Sequence, residues 1–244
     1  MISPLRGLLK SSEFLTGLVK AFRQLPRDLH VLLWRRRRVG QIRDYFDTHA
    51  TRCVQIGCGK NLIPGWLNAD YSPRFEEVIY LDATKPFPFP DNSVDYIFTE
   101  HMIEHVTYTD GQKMLKECHR VLKPGGRIRV STPNLRNIAS LMSQPATEEA
   151  RNYIRKVSAK YIPLNTQHLP GFVVNNFFWD FWHLFVYDPD TLRQTLEEAG
   201  FAPSSSMTSG KSTVPDLCGL ERHQAAVGAD LDAFETMIFE GIKI

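Results

Sequence analysis

The residues with the plainest chemistry are two glycines and a carboxylate. Gly57 and Gly59 flank Cys58 directly after an apolar run from Cys53 to Ile56, and Asp70 closes the next short apolar run, Trp66-Leu67-Asn68-Ala69. An apolar stretch running into two glycines reads as a buried parallel strand ending in a sharp turn. Glycine lacks a Cβ, so the backbone there can take φ > 0 and approach a ligand closely. A parallel α/β sheet would set the Asp70 carboxylate beside that turn, where it can accept hydrogen bonds from a ribose. A second group, His101-Met102-Ile103-Glu104-His105, follows a strand-like stretch ending at Thr99. Histidine is the usual proton acceptor at neutral pH, and positions i and i+4 share a face if the segment is helical. The same residues spell the H-x-x-E-H pattern of inverted zinc peptidases. That motif needs a helix within a peptidase fold, whereas here it directly follows a strand and precedes a Lys-Pro-Gly-Gly turn, so a peptidase is set aside.

Positioning these groups requires a sheet. Strands are expected at 52–56, 66–70, 77–81, 94–99 and 127–131, with a helix at about 110–122. Alternating strand and helix argues for a parallel sheet with its ligand at the C-terminal ends of the strands. Residues 136–186 interrupt this rhythm with a long segment that reads as loop-rich. Eight aromatics fall in the sixteen residues from Phe172 to Tyr187, suited either to a lid or acceptor wall or to ordinary core packing. A helix at Asp190–Ala199, capped by Asp190 and ended by Gly200, follows, and Phe234 to Phe239 alternates as a terminal strand would. Ahead of all this, Ser3-Pro4 opens a first helix whose apolar face ends at Pro26. Asp28 caps a second helix carrying Arg35 to Arg38 and ending near Phe46. Residues 1–48 thus form a basic amphipathic extension and 49–244 the main domain, with the insertion at about 136–186. The plainer reading docks the extension on the domain; the sharper one anchors it to an anionic membrane surface or a partner.

With 244 residues, 43% hydrophobic and 23% charged, the chain has the composition of an ordinary globular protein large enough for one α/β domain plus an appendage. The net charge of +2 is unevenly spread, basic over the extension and mildly acidic over the remainder, which argues against a nucleic-acid partner. Four cysteines form no C-x-x-C pair, so a reducing cytoplasm is the expected setting. No apolar run approaches the ~20 residues of a membrane span. Lys10, Glu13 and Lys20 break any signal-peptide core.

Several motifs stand in a familiar order. Gly57-Cys58-Gly59-Lys60-Asn61 is followed by Pro64-Gly65-Trp66-Leu67-Asn68-Ala69-Asp70, Leu81-Asp82-Ala83, Pro88 to Asp95, Glu104-His105 and Glu117-Cys118-His119-Arg120-Val121-Leu122-Lys123-Pro124-Gly125-Gly126. Taken together these resemble the class I S-adenosylmethionine-dependent methyltransferases, within them a group marked by G-C-G-x-N followed by P-G-W-x-N-x-D. The resemblance covers residues 52–135 and 183–201. Two positions depart from the family pattern: Gln55 replaces the usual acidic residue before the first glycine, and Asn61 the usual third glycine. Pro64-Gly65 also falls where a helix would follow the turn.

The resemblance implies a Rossmann-like, seven-stranded, mostly parallel sheet with an antiparallel C-terminal strand. It implies S-adenosylmethionine as cofactor and S-adenosylhomocysteine as product. The turn Gly57, Cys58, Gly59 would contact the amino-acid tail, Asp70 the ribose, Tyr71 the adenosine, Asp82 and Ala83 the adenine edge, and Glu100 the cofactor as well. Asp82 has a plainer role too, capping the turn before Thr84. Methyl transfer to an oxygen needs a base, for which His101 comes first, His105 second and His183 third. Some quinone-pathway O-methyltransferases carry E-x-x-E-H at this place and use a divalent metal. His101 in place of the first Glu keeps a possible ligand set whose imidazoles turn preference away from magnesium, although no metal is expected as a requirement. The expected acceptor is a small molecule or a glycan, including a lipid-linked saccharide. The competing readings are a nicotinamide-dependent oxidoreductase, whose G-x-G-x-x-G would need glycine where Leu62 stands, and a cofactor-binding protein without turnover.

Overall fold

A computed structural model describes residues 29–244. Seven strands lie in the order β3-β2-β1-β4-β5-β7-β6. They are β1 (Cys53–Ile56), β2 (Leu67–Asp70), β3 (Ile79–Tyr80), β4 (Val94–Glu100), β5 (Leu122–Pro133), β6 (Ser205–Met207) and β7 (Thr236–Ile242). The first five pair in parallel, and β7 runs antiparallel between β5 and β6. This is the mostly parallel Rossmann-like sheet with an antiparallel C-terminal strand that the sequence led us to expect. Val54, Ile56, Ile97, Ile128 and Val130 are buried on these strands, and α2 (Tyr108–Val121) adds Met114, Leu115 and Cys118 to the same core. Continuous apolar runs of this kind suit strands covered on both faces.

The helix α1 covers the described residues 29–48. Its C-terminal half is packed on the domain: Ile42 and Tyr45 are buried, and the Tyr45 hydroxyl donates to the carbonyls of Cys53 or Gly65 and accepts from the Cys53 amide. Arg38 donates to the Tyr80 carbonyl, and Trp34 stacks on the Tyr80 ring. Arg35, Arg36 and Arg37 are exposed. The helix expected over residues 5–25, and the Asp28 cap, lie outside the described residues.

The segment 136–186 is not loop-rich. It holds α3 (Leu135–Ser140), α4 (Glu148–Tyr161) and α5 (Pro170–Trp179), which build a second core around Tyr153, Ile154, Val157, Val173 and Phe177. Thr147 caps α4 by accepting from the Ala150 amide, and Pro170 opens α5. Prolines and a dense run of aromatics masked these helices, because α5 presents apolar residues on its exposed face as well as its buried one. Asp188, not Asp190, caps α6 (Pro189–Glu198), accepting from the amides of Asp190 and Thr191. Two short helices, α7 (His223–Val227) and α8 (Ala229–Glu235), precede β7. The last strand therefore begins at Thr236, two residues later than its alternation suggested, because α8 claims Phe234 and Glu235.

Candidate functional site

Two cavities meet above the C-terminal ends of the strands. The first, a cleft of about 530 Å³, is lined by Gly57, Asp70, Tyr71, Asp82, Ala83, Met102 and both His101 and His105. Gly57 has φ 73°, and a Cβ there would stand 2.8 Å from the Met102 Cβ, so glycine is required by backbone and by space. The amides of Gly57 and Cys58 both donate to the Ala69 carbonyl, at 2.8 and 3.1 Å, and the Gly59 amide donates to Asp70 Oδ2 at 2.9 Å. The turn is thereby fastened to β2 through all three amides, and of its residues Gly57 lines the cleft while Cys58 and Gly59 do not. The Ser72 amide holds Asp70 Oδ1 at 2.7 Å. Asp82 Oδ1 accepts from the Thr84 amide and hydroxyl, so Asp82 caps its turn while also lining the cleft. Glu100 does not reach this cleft, contrary to expectation. Its carboxylate accepts from the amides of Arg222 and His223, which tie the start of α7 to the end of β4.

The second cavity, of about 170 Å³, lies under the insertion and has walls from Tyr153, Val157, Val173, Phe177, Phe181 and Leu231. Its polar end holds His101, Glu104, His105, His183, His223 and Glu235. The aromatic run is thus divided. Phe177 and Phe181 form cavity wall, Tyr187 is core, and Trp179 and Trp182 point outward.

His101 and His105 do not share a helical face. His101 directly follows β4 at φ 45°, and a single 3-10 turn, Ile103–His105, comes next. His101 Nδ1 lies 3.4 Å from Glu104 Oε1, Nε2 lies 3.1 Å from the Thr236 hydroxyl, and the ring stacks on His223 at 3.6 Å. The Thr236 hydroxyl also lies 3.0 Å from Asp232 Oδ1. Burial opposes charge on His101, but the Glu104 carboxylate overrides it and lifts the imidazole above its ordinary value. Burial likewise opposes charge on Glu104, and His101 reverses it, holding that carboxyl below its usual range. The Thr132 hydroxyl donates to Glu104 Oε2 at 3.0 Å, leaving Oε1 to face His101.

His105 is exposed, with Nδ1 3.3 Å from the Trp182 carbonyl, and its ring meets His183 edge to face. His183 is half-buried between Phe177 and Phe181, and that burial pushes its imidazole down to about 4. His223 Nε2 pairs with Glu235 Oε1 at 2.7 Å, and the Tyr153 hydroxyl donates to Glu235 Oε2. Among the described residues, two groups bring three possible metal ligand atoms within 4.8 Å: Glu104, His105 and His183, and His101, His223 and Asp232. The residues therefore fit a divalent ion, but not as the ligand set that the five-residue motif suggests.

Sequence reasoning missed Tyr153, His223, Asp232, Glu235 and Thr236. None carries a spacing signal, because they reach the site only through the packing of α4, α7, α8 and β7.

Residues 68–130 match the family model described as "Methyltransferase domain". That span contains Asp70, Asp82, His101, Glu104 and His105 but not the glycine turn. A probable S-adenosylmethionine-dependent methyltransferase of Mycolicibacterium smegmatis is 49% identical over 47 residues, 19% of this chain and 18% of that protein. A ubiquinone/menaquinone biosynthesis C-methyltransferase of Citrobacter koseri is 31% identical over 132 residues, 51% of this chain and 45% of that protein. The chain spans less than half the length of either relative. A solved S-adenosylmethionine-dependent methyltransferase from Mesorhizobium loti aligns at a TM-score of 0.48 and 15% identity, covering 79% of this chain and 90% of that one.

Proposed function

We propose that this chain, a member of the class I S-adenosylmethionine-dependent methyltransferases, moves a methyl group to an oxygen of a small hydroxylated acceptor held in the aromatic-walled cavity. The observation that carries this reading is the shared boundary. His101 and His105 line both the cleft beside Asp70 and the aromatic-walled cavity, so a group passing from one to the other passes them. S-adenosylmethionine supplies an electrophilic methyl on a sulfonium, whose loss leaves a neutral thioether.

The cleft suits its nucleoside. The Asp70 oxygens each take one backbone hydrogen bond and keep lone pairs for ribose hydroxyls, and Tyr71 stands exposed beside them. Asp82 and Ala83 would meet the adenine. Cys58 and Gly59 would support the tail through the turn. On the acceptor side, Phe177, Phe181 and Tyr153 exclude water and orient an apolar body. His101 takes the acceptor proton. Glu104 behind its Nδ1 makes the imidazole a stronger base, and the acceptor hydroxyl takes the place of Thr236 at Nε2.

A glycan or lipid-linked acceptor, and contact of residues 1–48 with an anionic membrane, belong to the same proposal. No helix among the described residues is long and apolar enough to cross a membrane. Flotation with anionic liposomes that is unchanged on deleting residues 1–48 would remove the membrane contact. No feature of the site favours nicotinamide chemistry or binding without turnover.

The test pairs calorimetry with radiolabelled transfer. The folded protein should bind S-adenosylhomocysteine and not NADH, and should label members of a panel of hydroxylated aromatics and saccharides. His101→Ala should keep the binding and slow the transfer. No binding of S-adenosylhomocysteine rejects the cofactor, and unchanged turnover in His101→Ala rejects His101 as base.

A further inference from the structure

We infer that Glu104, His105 and His183 form a binding site for a divalent transition ion of the zinc or cobalt type, at the boundary between the two cavities. The three side chains offer ligand atoms within 4.8 Å of one another, and all three line the aromatic-walled cavity. His183 Nδ1 is buried without a hydrogen-bond partner. The Glu104 side chain has no exposure, and its Oε1 meets His101 Nδ1 at 3.4 Å. Leaving a buried ring nitrogen unpaired is costly, and a cation would satisfy it while sharing the Glu104 carboxylate.

His105 places Nδ1 against the Trp182 carbonyl; a ring N–H donating there leaves Nε2 with its lone pair, the usual support for a metal-binding imidazole. Glu104 is further held by the Thr132 hydroxyl and faces His101, as a ligating carboxylate commonly is.

The backbone brings the third donor in. The amides of Leu184 and Phe185 donate to the Glu104 carbonyl at 2.8 and 3.2 Å, which hangs His183 over Glu104 although 79 positions separate them. The other group, His101, His223 and Asp232, is the weaker candidate because its atoms are already engaged. Thr236 bridges His101 and Asp232, and Glu235 takes His223 Nε2.

Two imidazoles and one carboxylate suit zinc, cobalt, nickel or iron(II) and not magnesium, which prefers oxygen donors and retains its waters. An ion there would lower the pKa of an acceptor hydroxyl that reached it. Only that use rests on the methyl-transfer reading; the binding itself does not.

The test titrates Co²⁺ and Zn²⁺ into tag-free, metal-stripped full-length protein, read by calorimetry and by the visible spectrum of bound Co²⁺. One equivalent should bind, and a tenfold excess of Mg²⁺ should leave the spectrum unchanged. His183→Ala and His105→Ala should each weaken binding at least tenfold, whereas His223→Ala should bind as the wild type does. His105 is exposed, so its variant separates ligand loss from misfolding. A folded wild type that takes up no stoichiometric ion would overturn the inference. So would wild-type affinity in both His183→Ala and His105→Ala, loss confined to His223→Ala, or displacement of Co²⁺ by Mg²⁺. Binding of S-adenosylhomocysteine, measured on the same samples, reports separately on the methyl-transfer reading.

Discussion

The Gly59 amide donates to Asp70 Oδ2 at 2.9 Å, so the turn after β1 aims the carboxylate that ends β2. The Ser72 amide fixes the other oxygen, and the carboxylate is oriented before any ligand arrives. On the proposed reading, Asp70→Ala removes two charge-assisted acceptors for ribose, each worth about 1.5–3 kcal/mol. Calorimetry should show S-adenosylhomocysteine affinity falling at least about tenfold. Wild-type affinity in this variant would mean that the ribose lies elsewhere.

The two turn glycines should respond differently to alanine. Both have positive φ, 73° at Gly57 and 54° at Gly59, which costs an L-residue about 1–2 kcal/mol. Only at Gly57 does the new Cβ also strike a neighbour, the Met102 side chain, whereas at Gly59 it meets nothing within 4 Å. Urea denaturation should rank Gly57→Ala as the less stable of the two variants. Adding Met102→Ala should restore part of the Gly57→Ala loss and leave Gly59→Ala unaffected.

Arg129 is fully buried in β5 between two carboxylates, Nε lying 2.5 Å from Glu221 Oε1 and Nη1 2.6 Å from Glu240 Oε1. Its remaining donors reach the carbonyls of Lys211 and Thr208, which fastens the segment after β6 to the sheet. Arg129→Met strands two buried acids and should cost about 3–5 kcal/mol in denaturant unfolding. Replacing Glu221 and Glu240 by leucine in the same chain should recover much of that loss. A single variant as stable as the wild type would show that the triad contributes nothing net.

Glu117 gives the fold a pH dependence away from the site. Arg120 and the Phe87 amide bind its carboxylate and hold its pKa below the ordinary 4.5. A depressed folded pKa stabilises the fold above the unfolded value, and the gain is lost as pH falls through the folded one. Glu117→Gln should therefore be less stable than the wild type at pH 7. That difference should shrink as pH drops below about 4.5. A gap of constant size down to pH 2.5 would exclude the ion pair as its source.

Local patterning made the sheet legible and the insertion illegible. The runs Val54 to Ile56 and Val94 to Thr99 are short, apolar and closed by glycine or polar residues, which leaves few alternatives to a buried strand. In α5, by contrast, Val173 and Phe177 face the core while Phe172 and Trp179 face outward. Apolar residues on both sides erase the 3.6-residue stripe from which a helix is read. Glu100 was misplaced for a related reason: its position beside His101 says nothing about the amides of Arg222 and His223 that capture it.

By itself the sequence determined the glycine turn, the Asp70 carboxylate beside it and the presence of His101, Glu104 and His105 at the end of β4. These follow from neighbours a few residues apart, where chain geometry leaves little choice. Only the tertiary structure decided what stands around them. The antiparallel register of β5 with β7 sets Pro133 opposite Thr236 and so brings the Thr236 hydroxyl to His101, across 135 positions. Two amides of the segment after α5 hold His183 over Glu104. Such contacts depend on how helices and strand edges pack, a balance among many distant side chains that no local spacing encodes.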